Sequence, residues 1–166
     1  SETSLSHRRG YGQFFTPPKI AQFMVEWLLR NKPATILDPA FGLGVFYDQV
    51  RTVNSTRRSH FTGYEIDAQI LNYLDTEPSR PDLTVIQDDY LEADAGMFDA
   101  IVCNPPYMRF QKFLNRHNVL PQIERKIGTK LVGYTNVASV FLVKAMEELS
   151  PNGSLAFIMP FEFFNT

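Results

Sequence analysis

One point in this chain fixes what the backbone around it can do. Phe98-Asp99-Ala100-Ile101-Val102-Cys103 reads as a buried strand, and Asn104-Pro105-Pro106-Tyr107 follows it directly. Neither proline has an N–H to give, so the strand ladder cannot continue through them. The chain leaves the sheet in a stiff, extended turn. Pro106 holds Pro105 extended, which fixes the direction of the Pro105 carbonyl. Asn104 brings an oxygen that accepts hydrogen bonds without carrying charge, and Tyr107 brings a flat face with a polar tip.

Those groups suit a particular chemical problem. An exocyclic amino group on a planar ring is a poor nucleophile, because its lone pair is delocalised into the ring. The Asn104 oxygen and the Pro105 carbonyl can each bind one of its N–H bonds. That favours a tetrahedral nitrogen and aims the lone pair at an electrophile, which is preorganised polar stabilisation. A stacked aromatic ring would hold the substrate. No general base is needed, since the nitrogen becomes acidic once alkylated. The competing reading is a plain turn, with Asn as turn former and Tyr as surface cover.

The rest of the chain alternates strands with helices. Thr16 is a suitable N-cap and Pro17 a suitable first helical residue, before a helix whose apolar face is Ile20, Phe23, Met24, Trp27 and Leu28. The N–H groups at that helix start could bind a carboxylate. The strand Ala34–Leu37 runs into Asp38-Pro39-Ala40-Phe41-Gly42-Leu43-Gly44, a glycine turn of the kind that opens a nucleotide-binding βαβ unit. Asp38 would repel a pyrophosphate there and suits a cationic ligand with an amino group. A second strand, His60–Tyr64, ends in Glu65-Ile66-Asp67. An acid at that tip is placed to grip a ribose diol; Asp67 is assigned to a helix cap and Glu65 to the ribose. The third strand, Leu83–Gln87, ends in Asp88 and Asp89. One of them can accept from an adenine amino group, and Asp89 is favoured. The alternative for each is a solvated loop carboxylate. A helix from Asn136 with the stripe Ala138, Phe141, Leu142, Ala145, Met146 and Leu149 is broken by Pro151-Asn152-Gly153, and Ser154–Met159 is a fifth strand.

This is the pattern of an α/β protein with a doubly wound, mostly parallel, Rossmann-like sheet and a site at the carboxyl ends of its strands. Its 166 residues suit one domain. Residues 1–10 are polar and read as a disordered or tag-like terminus. No apolar run reaches the roughly 18 residues of a membrane span, and the start carries no signal-peptide pattern. A lone cysteine, Cys103, fits a reducing cytoplasm and reads as a small buried hydrophobe. It offers no metal-ligand spacing with the three histidines. The net charge of −2 does not look like a free-standing nucleic-acid binder. Residues 108–133, however, hold Arg109, Lys112, Arg116, Arg125, Lys126 and Lys130 against the single acid Glu124, with Phe110 and Phe113 interleaved. That suits a nucleic-acid backbone, and equally a solvated helical insertion.

Taken in order, Gln13-Phe14-Phe15-Thr16-Pro17, Asp38 to Gly44 and Asn104-Pro105-Pro106-Tyr107 resemble the gamma-type adenine-specific DNA methyltransferases of restriction–modification systems. The resemblance covers residues 12 to about 166. It implies the strand order 3-2-1-4-5. It also implies methyl transfer from S-adenosylmethionine to the exocyclic N6 of an adenine flipped out of double-stranded DNA. The residues implied for the cofactor are Thr16, Asp38, Pro39, Ala40, Gly42, Gly44, Glu65, Ile66, Asp88, Asp89 and Pro106. Those implied for the base are Asn104, Pro105 and Tyr107, with Pro106 near the reacting methyl. Phe41 and Leu43 stand where the family more often has small or polar residues, so a tighter cofactor pocket is expected. Such enzymes normally continue for two more strands and a target-recognition domain. Residues 11–166 are therefore expected to be a partial catalytic domain. It would work with a C-terminal target-recognition domain or a specificity subunit and be inactive alone. Release-factor glutamine methyltransferases share the tetrapeptide and ribosomal-RNA amino-methyltransferases are close to them in logic, but neither is expected to begin with Gln-Phe-Phe-Thr-Pro. A non-catalytic DNA-binding or assembly module is the reading from another class, and the intact tetrapeptide argues against it.

Overall fold

The computed structural model describes residues 16–53, 59–74, 80–107, 116–128, 130 and 136–159. The segment 1–10 and the motif residues Gln13, Phe14 and Phe15 lie outside the described residues, as do Arg109, Phe110, Lys112 and Phe113. In chain order the elements are α1 (Pro18–Leu29), β1 (Thr35–Asp38), α2 (Val45–Val53), β2 (His60–Glu65), α3 (Ala68–Leu74), β3 (Leu83–Gln87), β4 (Phe98–Cys103), α4 (Arg116–Ile127), α5 (Val137–Glu147) and β5 (Leu149–Phe157). All paired strands run parallel, in the order β3-β2-β1-β4-β5. That is the order the family resemblance implied.

Parallel strands need crossovers, and helices on both faces supply them. Side chains alternate between the two layers with the strand period of two. Ile36, Ala100 and Val102 pack with Ala21, Met24, Val25 and Leu28 of α1 and with Phe46, Tyr47 and Val50 of α2. Leu37, Ile101 and Cys103 point the other way, onto Ile123 of α4 and Val137, Val140, Phe141 and Ala145 of α5. Burying one such aliphatic side chain stabilises by about 1.5–3 kcal/mol. A surface ion pair such as Arg80–Asp48, at 4.0 Å, contributes about 0–1 kcal/mol. The two apolar layers therefore hold the sheet.

Three local expectations change. The inner face of α1 is Ala21, Met24, Val25 and Leu28, while Ile20, Phe23 and Trp27 are exposed. Small Ala21 and Val25 fit close to the sheet, and the bulkier residues are turned outward. Helix α5 ends at Glu147, so Leu149 belongs to β5 and Met146 is exposed. Strand β5 begins five residues early and takes in Pro151-Asn152-Gly153. Phe98 pairs with Leu149 but Ala100 with Ser154, a register break that accommodates the proline as a bulge on an edge strand. Asn152 there has φ 66°. Finally, the described part of the basic segment is a packed helix: Ile123 of α4 is buried, while Arg125 and Lys130 are exposed.

Candidate active site

The carboxyl ends of β1, β2, β3 and β4 gather the candidate residues. At the tip of β1, Asp38 is wholly buried. Its Oδ1 accepts from the Ala40 amide at 3.0 Å, and its Oδ2 is buried with no hydrogen-bond partner among the described residues. Burial disfavours the charged carboxylate, one backbone amide does not offset it, and Glu65 adds repulsion, so the Asp38 carboxyl is pushed up to about 8. The glycine turn that follows needs Gly42 and Gly44 in left-handed conformations, φ 56° and 80°.

Phe41 does not narrow this site. Its ring is buried and turns into the core, edge-on to Phe61 with centroids 6.1 Å apart. A Cβ on Gly63 would lie 2.3 Å from the Phe41 ring. Gly63 of β2 is thus the seat of Phe41, and the expectation of a tighter pocket is corrected at that residue. Leu43 is exposed.

Glu65 at the tip of β2 is buried and doubly engaged. Its Oε2 accepts from the Gly42 amide at 2.9 Å and its Oε1 from the Asp67 amide at 2.8 Å. It ties the glycine turn to the second strand tip, a role that the sequence reading did not include. Burial raises its carboxyl, and the amides of Asp67 and Gly42 oppose that. Asp67 begins α3: its carbonyl accepts from Ile70 and Leu71, and its Oδ1 from the Gln69 amide at 2.8 Å. Ile66 between them is exposed.

The two acids after β3 differ. Asp88 is exposed, and its Oδ1 accepts from the Asp89 amide at 2.8 Å. Asp89 is half-buried; its Oδ1 accepts from the Leu91 amide at 3.0 Å. Its Oδ2 is buried without a hydrogen-bond partner among the described residues. Burial, foremost, raises its carboxyl.

At the tip of β4, Asn104 is gripped from both sides. Its Nδ2 donates to Thr16 Oγ1 at 3.0 Å, and its Oδ1 accepts from the Tyr107 hydroxyl at 2.7 Å. The same hydroxyl lies 3.0 Å from the Ile158 carbonyl, and the Ile158 amide donates to the Cys103 carbonyl. Burial pushes the Tyr107 phenol up to about 12. Thr16 is not the cap of α1. The helix starts at Pro18 with Pro17 in the cap position and no side-chain cap bond, because the two prolines place Thr16 one residue too early. The buried Thr16 hydroxyl pairs instead with Asn104. The start of α1 offers few donors: Pro18 has no N–H, and those of Ile20 and Ala21 go to the Pro17 carbonyl.

The donor set can be tested against S-adenosylmethionine. Besides a carboxylate, which calls for donors, that molecule presents an ammonium, a ribose diol, an adenine amino group and a sulfonium, which call for acceptors or negative charge. Two buried carboxyl oxygens lacking hydrogen-bond partners among the described residues, Asp38 Oδ2 and Asp89 Oδ2, sit at strand tips on either side of Glu65. A buried acceptor left unsatisfied costs about 1–3 kcal/mol, which a donor from a ligand removes. The residues therefore fit the cofactor.

A family model described as N-6 DNA Methylase matches residues 3–165. Type II methyltransferase M.AccI of Acinetobacter calcoaceticus is 39% identical over 166 residues, which is 98% of this chain and 30% of that protein. Type II methyltransferase M.HincII of Haemophilus influenzae is 33% identical over 166 residues, covering 97% of this chain and 30% of that protein. The chain thus spans about 30% of the length of these relatives. The fold is shared with the methyltransferase subunit of a type I restriction–modification system from Streptococcus thermophilus. There the TM-score is 0.69 at 19% identity, over 89% of this chain and 34% of the other. It is shared too with the type IIG restriction endonuclease BpuSI, with a TM-score of 0.68 at 19% identity, over 90% of this chain and 20% of that one. With strand order, turn chemistry and a match across nearly its whole length in agreement, this chain belongs to the N-6 DNA methylase family.

Proposed function

We propose that this chain is the cofactor-binding and catalytic part of a restriction–modification enzyme that methylates the N6 amino group of adenine in double-stranded DNA. The observation that carries the proposal is the Asn104 amide. It stands at the β4 tip, oriented by Thr16 and Tyr107, on the same edge of the sheet as two buried carboxyl oxygens that lack hydrogen-bond partners among the described residues. S-adenosylmethionine, when bound, supplies an electrophilic methyl group on a sulfonium. Asp38 would hold its amino group, Glu65 and Ile66 its ribose, and Asp89 its adenine amino group, with Asp88 beside it. Pro39, Ala40, Gly42 and Gly44 would form the backbone floor, and Pro106 would lie nearest the methyl.

The work of Asn104 and Pro105 is on the substrate amine. A carboxamide oxygen accepts two hydrogen bonds, so Asn104 Oδ1 can serve Tyr107 and an N–H of the base. The Pro105 carbonyl takes the other N–H. Holding both raises electron density on the nitrogen only when it becomes tetrahedral, which favours the transition state over the planar ground state. As the N–C bond forms, the pair of the broken S–C bond would stay on sulfur as a thioether, and the nitrogen, acidic once alkylated, would lose its proton to water. Because N6 lies inside the duplex, the adenine must be flipped out. A target-recognition domain or specificity subunit would supply sequence choice, and the cytoplasm is where duplex DNA and this cofactor meet. Among the described residues no helix is long and apolar enough to cross a membrane.

The test is to incubate the full-length protein and methyl-labelled S-adenosylmethionine with duplex DNA, and in parallel with RNA and with a release-factor peptide, then identify the labelled nucleoside or residue by mass spectrometry. Label in N6-methyladenine is expected. Label in cytosine, in RNA alone or in a release-factor peptide would overturn the proposal.

A further inference from the structure

Lys144, Glu148 and Tyr90 form a buried polar cluster that the site description leaves unused. Lys144 and Glu148 are each 5% exposed and Tyr90 is 1% exposed. The Lys144 ammonium pairs with Glu148 Oε1. The Tyr90 hydroxyl donates to Glu148 Oε2 at 2.7 Å, and Lys144 Nζ stands 4.6 Å from the centroid of the Tyr90 ring. All three contacts are charge-assisted or cation–π, and water is largely excluded.

The cluster joins distant parts of the sheet. Tyr90 directly follows Asp89, and its ring lies between Tyr64, at 5.7 Å, and Phe141 of α5, at 5.2 Å. Tyr64 directly precedes Glu65, and its carbonyl accepts from the Phe41 amide of the glycine turn at 2.9 Å. Glu148 stands in the C-cap position just after α5, and its carbonyl accepts from the Phe98 amide at the start of β4. One buried carboxylate therefore anchors the residue next to Asp89 to the body of the fold.

Stability alone does not account for such a device. A buried ion pair is often no more stabilising than apolar residues of the same volume, because desolvating both charges offsets their attraction. What the pair adds over a hydrophobic replacement is direction. We infer that Lys144, Glu148 and Tyr90 are positioning residues that fix the Asp89 carboxylate for the amino group of the cofactor's adenine, and so set the preference for an adenine over a 6-oxopurine cofactor. This rests on the assignment of Asp89 made under the proposed function. The Asp89 Oδ2 atom, buried and without a hydrogen-bond partner among the described residues, is the acceptor being aimed. A 6-oxo group in place of the amine would set two acceptors against each other.

The experiment measures binding of S-adenosylhomocysteine and S-inosylhomocysteine to the full-length protein by calorimetry. A fold merely loosened by mutation weakens both ligands alike and leaves their ratio unchanged. The wild type is expected to prefer the adenosyl ligand by about tenfold or more. Tyr90→Phe keeps the ring and removes only the hydroxyl, and is expected to cut that preference by about threefold to tenfold. A Lys144→Met, Glu148→Leu double variant, which replaces the pair with apolar volume, is expected to cut it as well. Tyr90→Phe and the double variant both keeping the wild-type ratio would overturn the positioning role while leaving the Asp89 assignment standing. A wild type that binds the two ligands equally would overturn both.

Discussion

The tips of β1 to β3 and the tip of β4 are built from different kinds of group. The first three tips carry carboxyl groups: Asp38, Glu65 and Asp89 are all pushed upward by burial, and two of them keep a buried oxygen without a hydrogen-bond partner among the described residues. The fourth tip carries neutral groups, and its Asn104 is held on both faces by Thr16 and Tyr107. A region with unmet acceptors is one whose energy improves when a donor-rich cation arrives. A region whose polar atoms are already aligned gains little from binding, and under the proposed function its value lies in what it would present to a nitrogen during reaction. The difference predicts that the two halves can be damaged separately.

The largest effect is expected at Asn104. Asn104→Ala should lower the rate of methyl transfer by about 10² to 10³, the range found when one preorganised polar group is removed from a transition state. Affinity for S-adenosylmethionine, read by calorimetry, should change by less than about threefold. Loss of cofactor binding in step with activity would erase the distinction between the halves.

Asp38 tests the other side. Asp38→Asn should weaken cofactor binding by about tenfold to 100-fold, since a charge-assisted bond to an ammonium becomes a neutral one. The pH dependence follows from its carboxyl, which rises from 3.8 to about 8 in the protein without ligand. An ammonium beside it favours the carboxylate, so binding expels the Asp38 proton at neutral pH. Affinity should therefore climb between pH 6 and 8, by up to about tenfold per unit, and Asp38→Asn should flatten that climb. The sign for the ligand-free protein is opposite. A raised carboxyl favours the folded state while protonated, so its contribution is complete below 3.8 and is lost as pH rises towards about 8. Thermal melts across that window should show the wild type losing more stability than Asp38→Asn. Parallel profiles would mean that the buried oxygen is satisfied in solution.

The two halves were also unequally legible in the sequence. The β4 tip is chain-local: two prolines after an apolar strand leave few geometries, and β4 spans the residues expected of it, Phe98–Cys103. Long-range pairings leave no such mark. Thr16 looks like a helix cap because Thr-Pro usually is one, and nothing in the sequence links it to an asparagine 88 positions away. Phe41 looks like a pocket wall until Gly63 on another strand is seen to receive it. The inner face of α1 was misjudged because Ala21 and Val25 carry less apolar weight than Phe23 and Trp27, although burial selects for fit. Lys144 interrupts an otherwise apolar stripe, and Glu148 follows four residues later. That spacing was a readable signal of a paired buried charge, and only the fold shows that Tyr90 completes it.

Tyr107 gives the smallest effect and the sharpest test of how the neutral half works. A tyrosine at this position suggests a flat face for the base; in the structure its hydroxyl also sits between Asn104 Oδ1 and the Ile158 carbonyl. Tyr107→Phe keeps the ring and deletes that link, so stacking survives and only the aim of the amide is relaxed. The net worth of one such hydrogen bond is about 0.5–1.5 kcal/mol, which corresponds to a fall in kcat of about twofold to tenfold with KM for DNA little changed. Tyr107→Ala removes the ring as well and should raise KM for DNA in addition. If Tyr107→Phe raises KM and spares kcat, the hydroxyl acts on binding of the base. Thr16→Val would then show, by the same split, whether the Thr16 hydrogen bond aims the Asn104 amide.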